Sequence, residues 1–227
     1  VTAVCDIRSE RTAWASEKIV EAGFPEPVVY GRDDWDFKRM CDVEELDLVY
    51  NACPWRWHAP ISLAAMNSGK HAASEVNMAL TIDDCWKLVE TSERTRRHCI
   101  MMENCCYDRT EMVVLNMIRQ NVLGDVMHGE CGYLHDIRAG NLSPTKYQDM
   151  WRIKQMERLN GNTYPTHGIG PMAWCMDINR GDAFDYLVST NTPSRGINEF
   201  AQRMAQARVR RLNHITAKNN STTPSTT

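Results

Sequence analysis

The stretch Leu46–Ser74, which reads LDLVYNACPWRWHAPISLAAMNSGKHAAS, decides the fold. Its first residues, Leu46–Tyr50, are mostly apolar and are predicted to form a strand, and His71–Ser74 is predicted to form a second strand. Between them, His58–Ser68 is predicted to be a helix, because a proline lies in its first turn and a glycine follows its end. A strand, a helix and a second strand predict a parallel pair, since parallel neighbours need a crossover connection.

The same alternation continues on both sides of this unit. Helical segments separate short apolar runs, which predicts an α/β fold with a parallel sheet and crossover helices. The further strands are predicted at Val1–Cys5, Val28–Tyr30 and Cys99–Met102. The further helices are predicted at Arg11–Ala22, from a cap at Asp33 or Asp34 through Met40, and from a cap at Thr81 to about Arg97.

Polar residues follow the predicted strands, at the edge where open parallel sheets bind their ligands. This pattern favours a nucleotide-type binding site over a purely structural sheet. The polar segments are Asp6, Asn51–His58, Glu75–Asn77 and Glu103–Tyr107.

The second half of the chain has a different pattern. A helix is predicted from Tyr107 to Asn121, and Val126–Asp136 alternates like a strand, which puts Tyr133 and His128 on opposite faces. The remaining predictions, in chain order, are a polar loop at Arg138–Gln155, a helix at Pro171–Ile178, a strand at Phe184–Thr190, a surface helix that carries Arg203 and Arg208, and a low-complexity, disordered tail at Asn219–Thr227.

The run Gly161–Pro171, which reads GNTYPTHGIGP, concentrates turn-forming residues around one tyrosine and one histidine. Gly and Pro cost roughly 1 and 3 kcal/mol inside a helix, so the run is predicted to be a shaped turn. It would hold Tyr164 and His167 on a rigid loop, and a phenol and an imidazole are groups that proton transfer uses. The alternative is a structural turn with a hydrogen-bonded histidine.

Composition excludes several classes of protein. The chain has 227 residues and a formal net charge of -3, so it has no electrostatic footprint for nucleic acid. No stretch approaches the ~18 apolar residues of a membrane span. The nine cysteines are odd in number and include no CxxC pair, which favours free cysteines in the core over a disulfide framework.

The sequence predicts no metal site. The local candidates are His128, Cys131 and His135. In a strand, His128 would lie on the face opposite to the other two, and the three could not bind one ion.

Five motifs together resemble the Gfo/Idh/MocA superfamily and, within it, glycoside hydrolase family 109, the NAD-dependent α-N-acetylgalactosaminidases. The likeness extends over about residues 1–200. At Glu75–Asn77 the chain reads Glu-Val-Asn where the superfamily's dehydrogenases usually carry Glu-Lys-Pro. The side chain of valine cannot transfer a proton, which favours the glycosidase family. The motifs are Asn51–Pro60, Gly69–Val76, Met102–Glu111, His128–Asp136 and Gly161–Pro171.

The resemblance implies a truncated Rossmann-type parallel sheet domain followed by an incomplete α/β domain with an open-faced sheet. The first, residues 1–106, is expected to lack its first strand and the G-x-G-x-x-G loop, which this sequence does not contain. The second is expected at residues 107–218, and the tail at 219–227. Asp6 would then bind the adenosine ribose, which favours NAD over NADP, although Arg8 and Arg11 lie nearby. The fragment alone is expected to bind NAD weakly and to be inactive.

The implied function is hydrolysis of terminal α-N-acetylgalactosamine by a redox-neutral route. NAD⁺ takes a hydride from C3, the C2 proton and the glycosidic oxygen leave, water adds, and the hydride returns. The implied catalytic residues are His167, Tyr133 and Tyr164. The implied cofactor-binding residues are Asp6, Arg8, Asn51, Trp55, Trp57, His58, Glu75, Glu103 and Asn104.

Two alternatives stay open at this stage. One is an NAD(P)-dependent sugar oxidoreductase of the same superfamily, and the other is a non-catalytic sugar- or nucleotide-binding protein. The expected partner is a small-molecule or glycan substrate, with neither nucleic acid nor a membrane span. The sequence leaves open a homo-oligomer and the compartment, periplasm or cytoplasm, within a bacterium.

Overall fold

The computed structural model describes residues 1–158 and 161–221, with the backbone alone at 148 and 210–221. The chain divides into two compact units. The first comprises Val1–Tyr133 and Tyr164–Phe184, and the second comprises the described residues of Leu134–Thr163 and Asp185–Thr227. The domain division that the sequence predicts, at 106 and 107, stays a prediction.

The first unit contains five short parallel strands. Strand β1 (Ala3–Cys5) pairs with β2 (Val28–Tyr30). Strands β3 (Leu48–Asn51), β4 (His71–Ser74) and β5 (Cys99–Met101) form a second sheet in that order. The predicted parallel α/β fold is therefore confirmed. Within the described residues the strands form these two separate sheets.

Helices connect the strands as the alternation predicts, with ends that differ by a few residues. They are α1 (Ser9–Glu21), α2 (Asp36–Val43), α3 (His58–Asn67), α4 (Ile82–Thr95) and, after β5, α5 (Arg109–Arg119). The predicted cap of α4 is confirmed, because the hydroxyl of Thr81 accepts a hydrogen bond from the N–H of Asp84 at 3.1 Å.

The hydrophobic core lies between these helices and the sheets. It includes Phe37 and Cys41 from α2, Met66 from α3 and Leu88 from α4. All nine cysteines are free, as the sequence predicts. Burial raises the pKa of the Cys41 thiol to about 11, so this cysteine is a neutral core side chain.

Two predicted strands do not form. Val126–Asp136 and Phe184–Thr190 have no strand structure, so both predictions are wrong. A strand needs a neighbour that completes its hydrogen bonds, and neither segment is paired with one among the described residues. No sheet is described within residues 107–218, and the open-faced sheet there stays a prediction.

The predicted polar loop at Arg138–Gln155 is also wrong in part, because it contains two short helices, α6 (Arg138–Asn141) and α7 (Trp151–Met156). Helix α8 (Thr166–Cys175) follows, and α9 (Gly196–Ser221) is the predicted surface helix. The predicted tail, 219–227, starts in the last turn of α9 and otherwise lies outside the described residues. None of the described helices has the length and apolar composition that crossing a bilayer requires.

Asp36, the first residue of α2, holds the loop that follows β2. One carboxylate oxygen accepts hydrogen bonds from the N–H groups of Gly31 at 2.7 Å and Arg32 at 3.0 Å. The guanidinium of Arg39 donates to both oxygens. Arg39 and the two backbone donors hold the pKa of Asp36 well below its usual range. The ionised carboxylate therefore stabilises the carboxyl end of β2.

Asp36→Asn is expected to unfold at a lower urea concentration than the unsubstituted chain at pH 7, because the amide cannot accept from all these donors. The folded pKa is depressed, so the carboxylate's contribution is present above the unfolded pKa of about 3.9 and is lost as the pH falls toward the folded pKa. The difference between the two urea midpoints should therefore shrink progressively below pH 4. Urea titrations followed by tryptophan fluorescence at several pH values measure it.

Asp185→Asn is the matched control, since Asp185 is exposed in the second unit. It should leave the midpoint unchanged at each pH. A difference for Asp36→Asn that stays constant between pH 7 and pH 3 would contradict the assignment.

Candidate active site

Helix α8 begins within the run Gly161–Pro171, and its position corrects part of the sequence prediction. Residues 161–165 lie outside any helix, as predicted, but α8 starts at Thr166 instead of Pro171. Helix α8 packs against α5 and against the 3₁₀ turn Asn104–Tyr107 that follows β5. These contacts outweigh the low helix propensity of the run.

The glycines of α8 allow this close packing. A Cβ atom at Gly170 would lie 2.8 Å from Cγ of Glu103 and 3.0 Å from Sγ of Cys106. A Cβ atom at Gly168 would lie 2.9 Å from Sγ of Cys131. Cβ atoms in proteins are essentially never this close to another atom, so a larger residue at either position would force the neighbouring side chain to shift.

Glu103, at the end of β5, forms the central contact of the site with His167 of α8. The residue is 4% exposed, and its Oε1 lies 2.7 Å from Nδ1 of His167. The N–H of Cys105 donates to the same oxygen at 3.0 Å. A carboxylate can only accept, so Nδ1 is the protonated nitrogen of His167 and Nε2 is left for other chemistry.

Two aromatic side chains contact the imidazole, and a third contacts one of these two. The ring of Tyr164 stacks on His167 with centroids 4.9 Å apart and an interplanar angle of 5°. The ring of Tyr133 lies 4.7 Å from His167 and 6.0 Å from Tyr164. The indole Nε1–H of Trp55 donates to the hydroxyl of Tyr164 at 3.1 Å. The structure thus brings together the three predicted catalytic residues, with Trp55 and Glu103 from the predicted cofactor set.

Asn51 and His58 hold the loop that follows β3. The amide of Asn51 donates to the carbonyl oxygens of Trp57 and His58, and its own oxygen accepts the N–H of Cys53 at 3.0 Å. His58 is 1% exposed, with one ring nitrogen 2.6 Å from the carbonyl oxygen of Cys53 and the other 2.5 Å from that of Asn77. The contacts of both side chains are with the backbone of the loops.

The other residues predicted to bind the cofactor lie in separate surroundings. Asp6 follows β1, lines an open hollow with Tyr30, Gly31 and Arg32, and accepts the N–H of Arg8 at 2.9 Å. Trp57 packs edge-on against Trp35 and Phe37. Glu75 follows β4 and is exposed, as is Asn104, the residue after Glu103. A role in cofactor binding stays a prediction for all of them.

The contact between Glu103 and His167 is the functional feature that sequence reasoning missed. Glu103 was predicted as a cofactor-binding residue. The two residues are 64 positions apart, and no sequence spacing could have signalled the pair. The structure also groups Glu103, Cys105 and His167 as side chains with possible metal-binding atoms within 4.8 Å of one another. The local candidate His128 is exposed, and its Nε2 lies 3.5 Å from Oε1 of Glu130.

Comparison with known proteins identifies the family. The family described as glycosyl hydrolase 109, C-terminal domain, matches residues 107–223. The chain belongs to glycosyl hydrolase family 109. The match starts at the residue where the sequence predicts the second domain to begin, and it includes Tyr133, Tyr164 and His167.

Individual relatives agree with this membership. A family 109 protein from Shewanella sp. (strain MR-4) is 44% identical over 201 residues, which are 88% of this chain and 44% of that protein. The protein of Shewanella oneidensis named α-N-acetylgalactosaminidase is 42% identical over 88% of this chain and 44% of its own length. The chain therefore spans less than half the length of these curated relatives.

Among solved structures, the aldose-aldose oxidoreductase of Caulobacter crescentus resembles this chain with a TM-score of 0.46 and 24% identity. The superposition covers 55% of this chain and 36% of that structure.

Gly170→Ala is expected to lower the free energy of unfolding. Overpacking a filled site costs about 1–3 kcal/mol, which should outweigh the gain of about 1 kcal/mol from replacing a helical glycine. Urea unfolding followed by circular dichroism measures the change. The matched control is Gly132→Ala, because a Cβ there meets no atom within 4 Å. Equal effects of the two substitutions would contradict the packing assigned to Gly170.

Proposed function

We propose that the protein to which this chain belongs hydrolyses terminal α-N-acetylgalactosaminides by an NAD-dependent, redox-neutral route. The observation that carries this proposal is the cluster in which a buried carboxylate binds an imidazole flanked by two phenol rings. A route that removes and returns protons on a sugar needs such groups. Family membership supports the glycosidase class, and the relative named α-N-acetylgalactosaminidase supports the substrate.

The residues of the first sheet fit the adenosine end of NAD. Asp6 lies at the carboxyl end of β1, where a carboxylate suits the two ribose hydroxyls. Gly31 lets the backbone after β2 approach that of Asp6 closely, since a Cβ there would lie 2.2 Å from the backbone oxygen of Asp6. When bound, NAD⁺ would accept a hydride from the sugar and later return it. The phosphate-binding G-x-G-x-x-G loop is not part of this sequence, so we propose that this chain alone binds NAD weakly and is inactive.

His167 is the proposed proton carrier. Its Nδ1–H donates to Glu103, which leaves Nε2 to take a proton from the sugar and to return it. The carboxylate of Glu103 stabilises the imidazolium that forms and fixes the orientation of the ring. The stacked ring of Tyr164 limits rotation of the imidazole. Tyr164 and Tyr133 are the proposed contacts for the sugar hydroxyls and the acetamido group.

The aliphatic side chain of Val76 favours this proposal over the oxidoreductase alternative. It lies between Glu75 and Asn77 at the end of β4, where it is buried. An aliphatic side chain can neither accept nor donate a proton, so the proton carriers must come from elsewhere, and the cluster around His167 supplies them.

The elimination route is tested by isotope incorporation in a full-length family 109 relative that carries these residues. Hydrolysis of p-nitrophenyl α-N-acetylgalactosaminide in D₂O should place deuterium at C2 of the released sugar, because the C2 proton exchanges with solvent while it is held by the enzyme. NADH should not accumulate. Product without deuterium at C2 would overturn the route, and steady accumulation of NADH with a free sugar would favour an oxidoreductase.

The role of His167 is tested by substitution in the same full-length relative. His167→Asn at the corresponding position should lower kcat by roughly 10²–10⁴-fold, the usual contribution of a positioned acid or base. Glu103→Gln should also lower kcat, because the amide binds Nδ1–H without stabilising the imidazolium.

His128→Asn is the matched control, since His128 is exposed. It should leave kcat unchanged. Turnover that survives His167→Asn at the wild-type rate would remove His167 from the mechanism.

A further inference from the structure

Glu103 has an unpaired oxygen that the proposed proton transfer does not use. Its Oε1 is bonded to His167 and to the N–H of Cys105, but Oε2 is buried and has no hydrogen-bond partner among the described residues. Burying a charged oxygen without a donor or a cation costs free energy. The position of Oε2 is therefore one where a cation would be stabilised.

The side chains next to Glu103 are those that bind a soft divalent cation. Cys105 and His167 offer a sulfur and a ring nitrogen, and these atoms and a carboxylate oxygen of Glu103 all lie within 4.8 Å of one another. A thiolate, an imidazole and a carboxylate form a typical donor set for Zn²⁺, whereas Mg²⁺ and Ca²⁺ prefer oxygen alone. Three protein ligands would leave a fourth position of a tetrahedral ion for water or a substrate oxygen.

The backbone holds the three residues where they are. Glu103 and Cys105 lie two residues apart at the start of the 3₁₀ turn that follows β5. His167 lies in the first turn of α8, which Gly170 allows to pack against this turn. Cys105 is only half-buried, so an ion can reach the cluster from its side.

We propose that Glu103, Cys105 and His167 bind a thiophilic divalent cation, with Zn²⁺ as the best fit. Binding replaces the proton between Glu103 and His167 with the metal, moves that proton to Nε2 of the imidazole and releases the thiol proton of Cys105 to solvent. An imidazole bound to metal through Nδ1 then carries its one proton on Nε2 and cannot accept another. If the proposed function is right, Zn²⁺ therefore inhibits the enzyme reversibly, and this consequence rests on that function whereas the binding does not.

Cobalt binding to the isolated chain tests the site without nucleotide or sugar. Co²⁺ added to chelator-treated protein should produce near-ultraviolet absorption from thiolate-to-cobalt charge transfer, and Zn²⁺ should abolish it by displacement. Cys105→Ser should remove the absorption. Glu103→Gln should weaken Zn²⁺ binding in calorimetry by at least tenfold, the lower end of what even outer-sphere partners contribute.

Matched controls identify the ligand sulfur. Cys85→Ser changes an exposed cysteine of α4, and Cys131→Ser changes the cysteine that contacts Gly168. Both variants should keep the absorption. No charge-transfer band in the unsubstituted chain, a band that survives Cys105→Ser, or equal losses in the controls would overturn the proposal.

A measurement on the unsubstituted chain covers the case in which a variant misfolds. Alkylation followed by mass spectrometry should show that Zn²⁺ protects Cys105 and leaves Cys85 reactive. Equal alkylation of Cys105 with and without Zn²⁺ would overturn the site. In a full-length relative with all three residues, Zn²⁺ binding without inhibition would leave the metal site standing and would instead count against His167 as the proton carrier.

Discussion

The close packing of α8 against the end of β5 is the constraint on which the site depends. Gly170 leaves no side chain between the helix and Glu103, so the backbone of α8 can approach that carboxylate. His167 then reaches Glu103 from one turn earlier in α8, and Tyr164, just before the helix, stacks on the imidazole. One packing contact between a helix and a strand end thus sets the positions of three polar groups.

A second set of buried polar contacts shapes the loops at the same edge of the first unit. His58 lies between the carbonyl oxygens of Cys53 and Asn77, and Asn51 binds the backbone on either side of Trp55. Trp55 in turn donates to Tyr164. The loops after β3 and β4 are therefore fixed from within the protein. Buried polar side chains that bind backbone groups in this way make a loop rigid, because opening it would leave those groups unpaired.

Much of the first half of the fold could be predicted from the sequence, and less of the second half. The strands Val28–Tyr30 and His71–Ser74 are predicted to the residue, because the first is a short apolar run and the second follows the helix-ending glycine Gly69. Val126–Asp136 has the alternation of a strand but no strand neighbour among the described residues, and alternation alone does not supply one. Helix α8 has the opposite property: its composition disfavours a helix, and its packing stabilises one.

The residues of the candidate site could also be predicted only in part from the sequence. Tyr133, Tyr164 and His167 could be chosen by chemical type and by the family motifs that contain them. Glu103 was also predicted as a site residue, but as one that binds the cofactor. Its contact with His167 could not be predicted because it joins distant parts of the chain. The grouping of Cys105 with these two residues had no local signal either. Proximity of this kind depends on how the helix and the strand pack, and the order of residues does not encode it directly.

Strand β3 has a consequence for how its sheet can be extended. Among the residues that the structure describes, β3 pairs with β4 along one side only, and Leu48 and Tyr50 are 49% and 57% exposed. The N–H and C=O groups along its other side can accept an additional extended segment, with the two apolar side chains beside it.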